Sequence, residues 1–265
     1  MNIFLREIKS NFRSFLIWGG SFALMVVLGM VKYSGAYEAN AQLTKLIAQI
    51  PPFLKTFMGF GDFDLSSAIG FYGLLFYYLL IMAAIHACFF AANIISKEEQ
   101  EKTTEFLVVK PISRSAVILP KLMAAFLNVV LVNLITFAFS LLMIGAMNNG
   151  VTEWQKLLMF MLEMLLVQVI FIFVGSAIAT MSRRPKLAAT RATVVLMLTF
   201  LLARIIELFN NIDFLKYFTP FKYFSIADVI NTQPFDFYML FLTLLLSAAL
   251  CLLTFLGYNK RDLNI

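Results

Sequence analysis

Carboxylates at helical spacing are the first candidates for chemistry in this sequence. Glu98, Glu101 and Glu105 stand at i, i+3 and i+7, so a continuous helix would present all three on one face. Glu98 can pair with Lys102 at i+4, whereas Glu101 and Glu105 repel. With Phe106, Leu107 and Val108 beside it, such a face suits docking on a basic or apolar groove of a cytosolic partner. A solvated charged turn is the plainer reading of the charge alone. Four glutamates with no ligand of another type make a poor metal site. His86 is the lone histidine and Cys88 and Cys251 the two cysteines; all three sit in apolar runs, without metal-ligand spacing, and no metal site or disulfide is expected. There is no G-x-x-x-x-G-K-[ST] phosphate loop and no nucleophile elbow, so no catalytic residue and no cofactor is assigned to this chain.

These groups are set in an unusually apolar chain. Of 265 residues, 61% are hydrophobic and 14% charged, where a soluble domain carries about 45–50% apolar and about 25% charged. A globule of this size cannot hide that excess, which excludes a soluble enzyme, a disordered chain and a secreted disulfide scaffold. The expected fold is an all-α polytopic membrane protein, a single transmembrane domain over 1–265. Its six transmembrane helices are expected near 15–31, 69–95, 117–147, 157–181, 187–209 and 237–258. The first run follows a basic start, as a signal peptide would, but it exceeds an h-region of about 7–15 residues and reads as an uncleaved span. Fourteen basic residues flank the spans on the side of the N-terminus and six on the other, which puts both termini in the cytoplasm. The net charge of +6 then reflects basic cytoplasmic loops rather than nucleic-acid binding.

Three further segments carry expectations. Residues 1–14 form an amphipathic interface helix, with Phe4, Ile8, Phe12 and Phe15 on one face and Arg6, Lys9 and Arg13 elsewhere; it either lies on the anionic inner leaflet or anchors the topology. Leu43, Leu46, Ile47 and Ile50 have helical spacing ended by Pro51-Pro52, which reads as an interfacial helix or an ordered loop. The stretch around 210–236 reads as a cap over the bundle. Within the spans, Glu163 and Arg204 reach similar depth on antiparallel helices and are expected to form an intramembrane ion pair, since an isolated charge there costs about 2.5–3.5 kcal/mol to insert. His86, Asn93, Asn128 and Asn133 read as interhelical hydrogen-bond partners.

The segment after the second span resembles the permeases of the ABC-2 exporter family. That family has an acidic segment, a Thr-x-Glu-x-Leu unit and a Pro-x-Ser-Arg unit there. This chain has Glu98-Glu99 and Glu101, then Thr103, Glu105 and Leu107, then Pro111, Ser113 and Arg114. The stretch IPPFLKTFMGFGDFDLSSAIGF also resembles the family's loop before the second span. The family often has glycine before the threonine; Lys102 stands there, which should leave the helix more continuous. The resemblance implies a bacterial plasma-membrane exporter subunit, multi-pass, in which residues 98–107 with Phe106 form a cytoplasmic coupling helix between spans 2 and 3. It implies two copies of a separate ABC ATPase that bind ATP and Mg, a second permease subunit, same or homologous, and contact of the N-terminal helix with the ATPase. The alternatives are an ATP-independent secondary transporter and a membrane scaffold that recruits a cytosolic partner.

Overall fold

The computed structural model describes residues 3–38, 49–61, 64–103, 113–233 and 236–260, without the side chains of 34–38 and 210–211. All regular structure among the described residues is helical. Helix α1 spans Ile3–Ser10 and α2 Phe12–Glu38; a short α3, Pro52–Met58, precedes the long α4, Ala68–Gln100. Then come α5, Arg114–Met147, α6, Trp154–Met181, α7, Ala188–Leu208, a short α8, Ile226–Ile230, and α9, Phe237–Lys260. Six of these are long and apolar enough to cross a membrane: Phe12–Tyr33, Ala68–Gln100, Arg114–Met147, Trp154–Met181, Pro185–Leu208 and Phe237–Lys260. The expected six spans are therefore present. The second and third extend beyond their apolar runs, reaching about 50 Å at about 1.5 Å per residue against a core of about 30 Å.

Helices α4 and α6 form the centre. Along α4, Ala83, Ala84, Ala87, Ala91 and Ala92 are buried, and Gly175, Ser176, Ala177 and Ala179 are buried on α6. Lipid supplies no hydrophobic drive to pull helices together, so small residues that admit close backbone approach set this contact. At Gly175 the approach is extreme, because a Cβ there would run into the Cys88 carbonyl of α4. Polar pairs add direction. Asn133 of α5 donates to Gln168 of α6, and Tyr72 and Ser140 share a hydrogen bond of 2.8 Å. The His86 ring faces Asn128 of α5 and sits 4.8 Å from Trp18 and near Phe22 and Phe90.

The chain ends share one end of the bundle. Arg6 of α1 meets Glu98 at the end of α4, Lys121 near the start of α5 meets the same Glu98, and Arg114 meets Asn259 at the end of α9. At the far end, residues 209–233 fold as 3-10 turns and α8 packed on the bundle, as a cap: Thr219 donates to the Thr199 carbonyl at 2.8 Å, and Phe221 is buried against Phe171 and Phe200. Pro51-Pro52 follows the end of a helical stretch at Gln49, as expected, and also starts a new helix. Pro52 occupies the first turn of α3, where a missing N–H costs nothing, and Gly59 in the left-handed region (φ 79°) closes it. The expected helix residues Leu43, Leu46 and Ile47 lie outside the described residues. Helix α3 itself exposes Phe53, Leu54, Phe57 and Met58 and is held by the Tyr77 and Tyr78 hydroxyls donating to Phe57 and Met58 carbonyls. Because Gly175 faces backbone that cannot swing away, Gly175→Ala is expected to lose about 1–3 kcal/mol by overpacking. Thermal unfolding in detergent micelles checks this; an unchanged midpoint would mean that α4 and α6 do not touch there.

Candidate functional site

The terminal end of the bundle concentrates buried charge. Helix α1 places Ile3, Phe4 and Ile8 against the core, and Glu7 falls on the same face. A carboxylate on an apolar stripe must bring partners with it. Glu7 does: it is fully buried, its Oε1 accepts from Arg6 Nη2 at 2.7 Å, and its Oε2 lies 3.9 Å from Lys97 Nζ. Asn11 Nδ2 donates to the Glu7 carbonyl at 2.8 Å, which ties the junction of α1 and α2 to the same cluster.

Glu98 joins three elements. Its Oε1 accepts from Arg6 Nη2 at 2.7 Å, and its Oε2 pairs with Lys121 Nζ, which also donates to the Ile94 carbonyl at 2.6 Å. The Lys121 side chain is wholly buried. Lys97 Nζ donates to Ser10 Oγ of α1. Burial works against the Arg6 charge, but the Glu7 hydrogen bond and the Glu7 and Glu98 charges outweigh it and raise the pKa above its ordinary value. Glu98 therefore faces inward and is engaged by Arg6 and Lys121, not by Lys102 at i+4.

The helix also ends sooner than the acidic spacing suggests. α4 stops at Gln100, and Glu101 caps it. Lys102 takes a left-handed φ of 55°, and the Thr103 N–H returns to the Glu98 carbonyl at 2.8 Å. This is a Schellman ending with lysine at the position that favours glycine. The expected continuity through Lys102 is thus corrected: a turn at 101–103 breaks the face that would have joined Glu98 to Glu105. Thr103 adds a weak hydroxyl contact to the same carbonyl, at 3.4 Å. Gln100 Nε2 reaches the Pro185 carbonyl at 3.2 Å, linking this turn to the fifth span.

Ser113 and Arg114 restart the chain by a definite mechanism. The Ser113 hydroxyl accepts from the Ala116 N–H at 3.3 Å and caps α5. Arg114 Nη1 donates to the Asn259 and Tyr258 carbonyls at 2.8 and 3.4 Å, on the last described turn of α9. Glu105, Phe106, Leu107 and Pro111 lie outside the described residues. Lys9, Phe12, Arg13 and Glu101 are exposed and Glu99 is half-buried. Phe12 is exposed although its ring lies 6.2 Å from that of Phe15.

The structure does not bring Glu163 and Arg204 together. Arg204 pairs with Glu207 one turn on, at 2.5 Å, and Glu207 also takes Lys222 at 2.9 Å. Glu163 is buried on α6 beside a small cavity that Asp228 and Asp236 also line. Equal depth did not imply adjacency. Glu7, Lys97, Lys121 and Lys222 are residues of these clusters that the sequence reading does not single out. The available signals were Glu7 at i+3 and i+4 from Phe4 and Ile3, and Lys121 inside an apolar run. Among the described residues no group of three metal-ligating side chains converges.

A family model described as ABC-2 family transporter protein matches residues 1–263. The chain belongs to that family. No curated relative matches it. The membership fits a membrane component of a transporter, typically the non-catalytic subunit.

Two outcomes follow from this end of the bundle. Lys121→Met leaves Glu98 buried with only Arg6, and is expected to cost about 3–5 kcal/mol. Lys121→Met with Glu98→Leu removes both charges and should recover most of that loss; equal unfolding midpoints for wild type and the single variant would show the pair carries no stability. Lys102→Gly relieves a left-handed lysine and should gain about 1 kcal/mol, read as a higher unfolding midpoint; a loss would contradict the turn.

Proposed function

We propose that this ABC-2 family member is the permease subunit of an ATP-driven exporter in the bacterial plasma membrane, with both termini in the cytoplasm and the whole chain as one transmembrane domain. It forms the pathway with a second permease, and two copies of a separate ATPase bind ATP and Mg and dock on the terminal end. The observation that carries this reading is the junction at Glu98. One carboxylate joins the N-terminal helix, the end of the second span and the start of the third, on either side of the segment 104–112.

A push delivered to that segment enters two spans at once. The segment leaves α4 through the Lys102 turn, whose Thr103 N–H returns to the Glu98 carbonyl, and re-enters α5 through the Ser113 cap, and Lys121 of α5 is paired with Glu98. Glu99, Glu101, Thr103, Glu105, Phe106 and Leu107 are the proposed docking residues, and Lys9 and Arg13 offer basic charge beside them. Glu98, Arg6, Ser113 and Arg114 serve a different role: they hold the frame against which the docked partner works.

A photocrosslinker at exposed Glu101 should capture a P-loop ATPase in native membranes, and Glu105→Lys should reduce co-purification of that ATPase without loss of membrane insertion. Capture of no nucleotide-binding protein, or normal co-purification and transport by Glu105→Lys, would sink the coupling role. Flux that persists without ATP in reconstituted vesicles would instead favour a secondary transporter, and ATPase capture without flux a scaffold.

A further inference from the structure

At the far end of the bundle a cleft of about 390 Å³ lies between α3, α4, α7 and the cap. The coupling reading makes no use of it. Among the described residues its charged lining is Arg204, Lys222 and Glu207, so two cations share one carboxylate and these three carry a net charge of +1. Arg204 is only 6% exposed. Its Nη1 is taken by Glu207 at 2.5 Å and, at 3.5 Å, by the Thr56 carbonyl. Its Nε is buried and has no hydrogen-bond partner.

An unmade hydrogen bond on a buried cation is costly, more so than on a neutral donor. The guanidinium lies 5.0 Å from the Tyr77 ring centre and 5.5 Å from that of Phe200, and these faces offset part of its charge. They cannot accept the Nε–H as an oxygen would. Among the described residues the site thus retains one unsatisfied cationic donor, one excess positive charge and aromatic walls that admit apolar atoms.

We propose that this cleft binds the anionic oxygen group of a ligand, a phosphate or carboxylate, with Arg204 Nε and Lys222 Nζ as donors. Phe200 and Phe221 line the space for an attached apolar chain. The proposal stands independently of how the terminal end is driven. Glu207 is then a competitor for the same donors, which gives the site an uncommon signature: its removal should strengthen binding.

The test titrates the full-length chain, in neutral detergent micelles, with inorganic phosphate, oleoyl lysophosphatidic acid and monooleoylglycerol, read by native mass spectrometry. The lysophosphatidic acid should bind and the glyceride, with the same tail and no phosphate, should not. Phosphate binding as well would assign the site to free anions; binding of the lipid alone would assign it to a lipid head group. Lys222→Gln should weaken anion binding about three- to tenfold and Glu207→Gln strengthen it by a similar factor, as expected for one charge near a partly solvated site. Arg204 also holds Thr56 and Glu207, so the two variants of opposite sign carry the result rather than an Arg204 change. Equal binding of the glyceride, no binding of either anion, or weaker binding by Glu207→Gln overturns the proposal.

Discussion

A single carboxylate, that of Glu98, is where the terminal end of this bundle is fastened. Burying it without partners would cost several kcal/mol, and the same holds for Lys121. Both costs are met only if Arg6, Glu98 and Lys121 arrive together, which fixes α1 against α4 and α5. Glu7 extends the constraint through Arg6 and Lys97 into the start of the first span. Apolar packing in lipid has little directional preference, since a leucine face fits lipid tails about as well as a neighbouring helix. The charge cluster supplies the specificity that the packing lacks.

The far end is built on a similar motif with a different balance. Glu207 bridges Arg204 and Lys222 as Glu98 bridges Arg6 and Lys121. At the terminal end Arg6, Glu7, Glu98 and Lys121 each have a close ion partner, and Lys121 has no exposure at all. At the far end the bridge faces a cleft, and one Arg204 donor is left over. The first arrangement locks helices, whereas the second leaves capacity for a ligand. Between them the spans hold few charges, because an unpaired one there is expensive.

The sequence made the spans and the cap legible because both depend on local runs: about 20 apolar residues make a span whatever surrounds them. What was not legible depended on distance in the chain. Glu98 and Arg6 are 92 residues apart, and nothing in the spacing of Glu98, Glu101 and Glu105 tells that the first faces inward. The helix face was drawn on the assumption that α4 continues, and Lys102, a good helix former by propensity, supported that assumption. Instead α4 ends in a left-handed turn at Lys102, closed by the Thr103 N–H on the Glu98 carbonyl. The Glu163–Arg204 expectation failed for a related reason: depth is a one-dimensional quantity, and the rotation of each helix about its axis was not encoded in it. Arg204 found a partner three residues away on its own helix.

These long-range fastenings bear on how a coupling segment can work. A loop tethered at one end would absorb a push by bending. Residues 104–112 are bounded by the Thr103 return to Glu98 on one side and by the Ser113 cap on the other. Glu98 and Lys121 are paired across that gap, and Arg114 is clasped to the end of α9. Gln100 touches the start of the fifth span through Pro185. On the proposed reading, force at the segment therefore acts on a frame that joins the second, third, fifth and sixth spans and the N-terminal helix. On the same reading Glu98 serves the bundle, while Glu99 and Glu101 just before the Lys102 turn and Glu105 to Leu107 beyond it in the sequence serve the partner. An uninterrupted helix would have put both tasks on one face.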